Sequence, residues 1–415
     1  MISLASARAL VAVLLIALNL RLGISSAAAL LDALRSTVGL SPFGAALLPA
    51  LPTLCFAAAG ATAATLTRRL GTDRTVHAAL AALAAGLAVR AVPHPAALLG
   101  GTVLGMCGLA LCNVLLPTLV RTRFPHRIGL VTGLYTTALA LGAAVASAAA
   151  VPLARAAGSP SLGLAAWALP AVLAAAVWAG APRQGAARPA RQRASLRSVA
   201  RTRLGVLVTA YFGLQALNAY AITGWLPSLL ADHGMPQERA GVVLAVTQAV
   251  GIPVSFAVLA TTGGAAGPRR PGTAFVAVSA AMLAGFAGLL AAPVALPVLW
   301  AVLVGIGLSS FPLVLAVIAR SGGDAAQTTA LSTLAQSAGY LLATGGPLAF
   351  GLLHDATGGW RAPMLLLLVT AAAQLVAGVA LARHRSGGGE PLTSLFGKPE
   401  METRLRDVAT SRRGE

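Results

Sequence analysis

Long apolar runs alternate with short polar or Gly/Pro-rich breaks along most of the chain, and each run is longer than a soluble helix or strand needs. A helical residue rises about 1.5 Å, so crossing about 30 Å of hydrocarbon takes about 20 apolar residues. On that measure the pattern predicts about twelve spans, at 9–31, 43–66, 75–91, 97–119, 128–151, 163–181, 205–230, 240–262, 273–292, 297–319, 329–351 and 363–383. The segment from Pro182 to Leu204 carries seven arginines and no acid, which makes it a linker outside the lipid. From Ser386 the chain is Gly-rich and charged and reads as a disordered, solvated tail.

Six spans, a basic linker and six more spans suggest duplication. Shifting the chain by about 195 residues lays Leu30-Leu31 on Trp225-Leu226 and Gly39-Leu40 on Gly234-Met235. A shift of about 199 lays the Arg121 end of span four on the Arg320 end of span ten. The predicted fold is therefore an all-α polytopic membrane protein of about twelve transmembrane helices in two pseudo-symmetric six-helix bundles. Its parts are a first bundle at 1–181, a cytoplasmic basic linker at 182–204, a second bundle at 205–385 and a cytoplasmic tail at 386–415.

Composition excludes other classes. Of 415 residues, 57% are hydrophobic and only 10% charged, against about 25% charged in a soluble protein. The net charge of +19, from 30 basic and 11 acidic residues, would suggest a nucleic-acid binder in a soluble chain. Here the charges lie too far apart along apolar runs to track phosphates, so no nucleic-acid partner is expected. They mark topology instead: with the N-terminus inside, 24 of the 30 fall on the cytoplasmic side. Arg35, Arg90, Arg155, Arg239 and Arg361 fall outside, and Arg21 alone is left within a span. Both termini are expected in the cytoplasm, in a monomer of the plasma membrane. Arg8 ahead of an apolar stretch imitates a signal peptide, but that stretch continues to Leu31, too far for the hydrophobic region of one. Trp167, Trp225, Trp300 and Trp360 near outer span ends, and Trp178 near an inner one, read as interfacial anchors.

Catalytic chemistry has few parts to work with. Cys55, Cys107 and Cys112 sit inside apolar runs and imply no disulfide framework or metal site, and the six histidines form no ligand cluster. Lys398 is the only lysine, so no phosphate-binding Walker loop can exist. No enzyme activity, cofactor or metal is expected.

Polar residues within the spans carry the functional reading. Arg21 lies roughly 18 Å into the first span, near the bilayer midplane, where a charge costs about 2.5–3.5 kcal/mol on insertion scales. All 11 acids fall outside the hydrocarbon, so Arg21 has no evident counter-ion. A guanidinium facing a wet cavity suits a small planar anion bidentately; the alternative is that it binds backbone carbonyls and ties helices together. Tyr211, Gln215 and Asn218 share one helical face at i, i+4 and i+7, and Ser332, Gln336 and Tyr340 share another. Asn113, Tyr135, Gln248 and Ser309-Ser310 add polar points at middle depth. Lipid satisfies none of these groups, so they must face the interior, as substrate contacts or as interhelical ties. On the 195-residue overlay Arg21 falls on Ala216, beside Gln215, which predicts charge from one half and amide and hydroxyl groups from the other. Pro49, Pro52, Pro117, Pro253, Pro312 and Gly345-Gly346-Pro347 permit kinks and close helix approach.

Several strings carry a family resemblance. Leu18-Asn19-Leu20-Arg21, Leu51-Pro52-Thr53-Leu54-Cys55-Phe56, Asn113-Val114-Leu115-Leu116-Pro117, Gly133-Leu134-Tyr135-Thr136, Gly213-Leu214-Gln215 to Trp225-Leu226-Pro227, and Ala335-Gln336-Ser337-Ala338-Gly339-Tyr340 through Gly346-Pro347 occur in that order. Together they resemble the cyanate permease / 2-nitroimidazole transporter branch of the major facilitator superfamily, over about residues 9–383. The resemblance implies alternating access by two bundles, with a small substrate held between them. Leu66 to Arg74 is similar to that superfamily's cytoplasmic gating motif: Arg68, Gly71 and Arg74 match, whereas Thr67 stands where an acid usually precedes the arginine.

The expectation is a secondary or facilitative transporter of a small planar anion of the cyanate kind, with Arg21, Asn113, Tyr135, Gln215, Asn218, Gln336 and Tyr340 as substrate contacts. The alternative on the same fold is efflux of nitroimidazole-like heterocycles. No carboxylate or histidine lies within a span, so coupling is expected by uniport, by exchange, or by a substrate that carries its own proton. A membrane sensor or membrane-embedded enzyme, the reading from another class, lacks both a soluble domain and a catalytic constellation.

Overall fold

In a computed structural model the described residues are 4–180, 196–263, 271–321 and 325–383. Residues 182–195 of the predicted linker, the tail 386–415, Arg269, Arg270 and Asp324 lie outside them. All regular structure among the described residues is α-helical. The helices are α1 (Leu4–Ala29), α2 (Leu31–Val38), α3 (Pro42–Leu47), α4 (Leu51–Leu70), α5 (Thr72–Val89), α6 (Pro95–Arg123), α7 (Ile128–Ala156), α8 (Pro160–Ala165) and α9 (Ala168–Ala179) in the first half. A short α10 (Leu196–Ala200) leads into α11 (Arg203–Asp232), α12 (Gln237–Gly263), α13 (Pro271–Ala291), α14 (Pro297–Leu308), α15 (Ser310–Ser321), α16 (Ala325–Thr357) and α17 (Arg361–Arg383). Among the described residues, eight stretches are long and apolar enough to cross a membrane by length and composition. The long helices α4, α5, α12 and α16 complete the twelve.

Three predicted spans are interrupted, each ahead of a proline. The second span begins as α3 and resumes as α4, the sixth is α8 then α9, and the tenth is α14 then α15. Pro52, Pro170 and Pro312 each lie four or five residues beyond the last residue of the preceding helix. Proline has no N–H to offer the carbonyl four residues back, and its ring crowds that carbonyl, which favours a break there; Pro117, Pro152, Pro227, Pro253 and Pro347 nonetheless sit inside continuous helices.

The duplication is visible in the turns. Gly39 (φ 75°) and Gly234 (φ 89°) close the first spans of the two halves, 195 positions apart, in the left-handed conformation that glycine adopts most cheaply. Gly158 (φ 69°) and Gly358 (φ 64°) do the same after the fifth spans, 200 positions apart. The helices pack as two bundles, which meet along α1 and α11, α4 and α16, and α7 and α12.

Glycines set the closest approaches. A Cβ on Gly142 of α7 would stand 2.3 Å from the Leu18 carbonyl oxygen of α1, so only glycine lets these two backbones meet there. Gly213 on α11 and Gly339 on α16 face one another similarly, and a Cβ on Gly346 would stand 2.8 Å from the Leu217 carbonyl oxygen. Small residues at such crossings are how membrane helices approach without a hydrophobic drive between them.

Two sequence expectations need correction. Trp167, Trp178, Trp225 and Trp360 are buried in protein rather than lying at an interface with headgroups. The Trp225 indole donates to the Pro347 carbonyl at 3.0 Å, and the Trp178 indole to the Asp73 carbonyl at 3.1 Å. Depth along a span could be read from the sequence, but whether an indole faced lipid or a neighbouring helix could not. Arg90, placed outside by the charge count, turns its side chain inward and is 1% exposed. The long arginine stem lets a residue at a helix end put its head group well inside the bundle. The three cysteines are free, with the Sγ atoms of Cys55 and Cys107 3.7 Å apart.

Candidate functional site

Two ends of the bundle can be distinguished. Arg8, Arg68, Arg69, Arg74, Arg121, Arg123 and Arg127 gather where α1 begins, the basic end; α2, the end of α11 and the end of α16 lie at the far end. Arg21 sits between them on α1, half-buried, where α1 faces α11. Its Nη1 donates to the hydroxyl of Tyr220 at 3.3 Å, and its guanidinium carbon lies 5.4 Å from the centre of the Tyr220 ring. Among the described residues no carboxylate forms an ion pair with it. A cation over an aromatic face is stabilised by roughly 0.5–2 kcal/mol, which offsets part of the insertion cost without neutralising the charge.

Rings continue from this contact across the bundle interface. Tyr220 lies 6.4 Å from Tyr340 of α16 and 6.2 Å from Phe56 of α4, and Phe56 lies 5.0 Å from Tyr340. Tyr340 in turn meets Phe212 edge-on at 5.1 Å, and Phe212 meets Phe311 at 5.8 Å. The close crossing of α11 and α16 at Gly213 and Gly339 holds this row together. Arg21 and Tyr340, chosen from the sequence, thus share one cluster with Tyr220 and Phe56, which were not.

Tyr220 is one of only four tyrosines in the chain: Tyr211 and Tyr340 stand out by helical spacing and Tyr135 by its depth, whereas Tyr220 stands out by neither. A usable signal was present: Tyr220 lies 199 positions after Arg21, the same spacing that relates Arg121 to Arg320.

The remaining candidates are placed elsewhere. Asn218 lies within the second bundle: its Nδ2 donates to Gln374 at 3.1 Å and its Oδ1 accepts from Thr370 at 2.7 Å. Gln374 then donates to Ser310 at 3.2 Å, so this network joins α11, α15 and α17. Tyr211, on the same face, packs edge-on against Phe275 of α13 at 5.0 Å. Gln215 is buried, with its Oε1 lacking a hydrogen-bond partner. Gln336 is half-buried and donates to Ser332 one turn earlier at 2.8 Å. Asn113 on α6 and Tyr135 on α7 are half-buried and make none of the ring or hydrogen-bond contacts around Arg21.

At the basic end, Gly71 (φ 80°) supplies the left-handed turn between α4 and α5. Arg68 and Arg74 are exposed, and Arg68 donates to Thr65 at 3.1 Å. The acid of this loop is Asp73, paired with Arg123 of α6 at 2.6 Å, while Arg123 stacks 4.3 Å from the Trp178 ring. At the far end the bundles are joined directly. Arg35 pairs with Asp355 at 2.9 Å, Arg155 pairs with Glu238 at 2.5 Å, and Ser228 donates to Asp32 at 2.7 Å. Burial, opposed in part by the Ser228 hydrogen bond, raises the Asp32 carboxyl above the usual carboxylate range, and Asp232 nearby raises it further.

Comparison with known proteins agrees with this architecture. Residues 11–344 match the sequence model of the Major Facilitator Superfamily. The chain is 36% identical over 381 residues to the 2-nitroimidazole transporter of Escherichia coli K12, covering 90% of this chain and 95% of that one. It is 30% identical over 369 residues to the cyanate transport protein CynX of the same organism, covering 85% and 91%. Among solved structures, a bacterial homologue of the human lysosomal transporter Spinster, inward-facing and unoccupied, superposes with a TM-score of 0.75 at 14% identity, over 91% of this chain and 97% of that one.

Proposed function

The chain belongs to the Major Facilitator Superfamily, and from that premise we propose that it carries a small planar anion of the cyanate kind across the plasma membrane by alternating access. The observation that carries this reading is Arg21, a guanidinium at the bundle interface with an aromatic neighbour and no carboxylate pair among the described residues. The bundles 1–181 and 205–385 rock about that point, with both termini and the linker in the cytoplasm and one chain as the working unit. Arg21, Tyr220 and Tyr340 hold the substrate. Gln215, Gln336, Asn113 and Tyr135 line its path, and Asn218 acts from behind by fixing α11. The far-end contacts describe a form closed on that side. Arg68, Gly71 and Arg74 form the loop over which the basic end closes, with Asp73 supplying its acid.

A second substrate reading rests on the ring cluster. Phe56, Tyr220 and Tyr340 offer aromatic faces to a flat heterocycle while Arg21 donates to its nitro oxygens, which fits export of nitroimidazole-like compounds. Reconstituted protein should lose at least tenfold of its flux on Arg21→Ala and recover part of it with Arg21→Lys; unchanged flux would sink the reading. Thermal stabilisation by cyanate alone favours the anion, and stabilisation by 2-nitroimidazole alone favours the heterocycle.

A further inference from the structure

Beyond Arg21 toward the far end, a cavity of about 20 Å³ lies between the two bundles. Gly23 and Ala27 of α1, Arg90 at the end of α5, Thr102 of α6, and Tyr220 and Thr223 of α11 line it. That volume holds about one water-sized particle. The side chain of Arg90 is fully buried, yet no carboxylate pairs with it among the described residues. Its Nη1 donates to the Gly23 carbonyl at 3.0 Å, and its Nε has no partner.

The Gly23 bond ties α5 to α1 but does not require a full positive charge, since a neutral amide could make it. A buried unpaired guanidinium is among the costliest groups a membrane protein can hold, and it persists where an anion or a wet cavity compensates it. Tyr220 connects this place to the first: its hydroxyl accepts from Arg21, and its side chain also lines the Arg90 cavity. Gly23 is only two residues past Arg21, about 3 Å further along the α1 axis.

We propose that Arg90, with the hydroxyl of Thr223, forms a second anion site that takes one small monovalent anion of halide or pseudohalide size; the Thr102 hydroxyl donates to the Leu98 carbonyl at 2.6 Å and serves as wall. The site is separate from the Arg21 cluster and stands whether or not Arg21 binds substrate. Its occupant is either a resident halide or the transported anion in passage toward the far end.

The test uses the full chain, purified, with unfolding temperature followed in gluconate and in chloride, nitrate or cyanate at one ionic strength. Gluconate is too large for the cavity, so the small anions should raise the unfolding temperature saturably. Arg90→Gln should weaken the chloride response at least tenfold and Arg90→Lys should keep part of it, whereas Arg21→Gln should lower flux and any stabilisation that cyanate draws from the Arg21 cluster while leaving the chloride response in place. Should Arg90→Gln fail to fold, Thr223→Leu, which fills the cavity and spares the charge, should abolish the response. Bromide introduced into crystals should give an anomalous peak beside the Arg90 guanidinium. A response to chloride alone identifies a resident halide, and one in which cyanate competes with chloride shows that the site also admits the proposed substrate. Equal unfolding temperatures in gluconate and all small anions, or a wild-type response in Arg90→Gln or Thr223→Leu, would overturn the site.

Discussion

The two ends of the bundle hold their charges differently. At the far end the ion pairs cross from one half to the other, as Arg35–Asp355 and Arg155–Glu238 do. At the basic end the Arg123–Asp73 pair stays within the first half, clamping the α4–α5 turn to α6. A contact that crosses the interface must break when the bundles rock, whereas one within a bundle can survive the whole cycle. In the alternating-access cycle proposed above, the far-end pairs would act as a reversible latch and the basic-end pair as a permanent brace. Partly exposed ion pairs are worth only about 0–1 kcal/mol each, which suits a latch that must open in every cycle.

That contrast can be broken most completely by covalent closure. In a background with Cys55, Cys107 and Cys112 replaced, cysteines at 35 and 355 joined by a short bifunctional thiol reagent should abolish transport, with recovery on cleaving the link. Cysteines at 73 and 123 joined in the same way should leave most of the flux, and an equal loss at both ends would erase the distinction between latch and brace. Charge reversal should act less strongly. Asp355→Arg should shift the population toward the far-end-open form by up to about tenfold, or 1.4 kcal/mol, read as faster alkylation of a cysteine at position 228. Adding Arg35→Asp should restore the original rate.

The smallest effect is expected from pH. Asp32, in α2 past the end of the first span, has its carboxyl raised by burial, so the closed form favours the protonated acid. Its stabilising contribution is complete below the ordinary carboxylate value and is lost as pH rises through the raised one. Alkylation at the far end should accordingly speed up a few-fold as pH rises through that range, and Asp32→Asn should flatten the profile. A profile unchanged by that substitution would assign the dependence to another group.

Two members of the candidate cluster, Arg21 and Tyr340, were legible in the sequence. Arg21 stood out because a charge at that depth is costly whatever surrounds it, and Tyr340 because its polar face repeats at helical spacing. Arg90 was not legible: it lies at a helix end, where an arginine ordinarily reaches outward, and only the cavity between α1, α5, α6 and α11 draws it in. The indoles misled for the same reason, since depth along a span can be counted but the identity of the neighbour cannot.

What the sequence determined by itself is the class of protein, the number of its spans and its duplication. These follow from local quantities: transfer free energy summed over about 20 residues and the permissiveness of glycine. Tertiary structure decided which neighbour each polar group meets. Asn218 and Tyr220 are two residues apart, so they point about 200° from one another around α11. One is tied into the second bundle through Gln374 and Thr370, while the other crosses to Arg21 in the first. Helical periodicity separates those two faces, but only the rotation of α11 in its packed position settles which of them looks toward the interface.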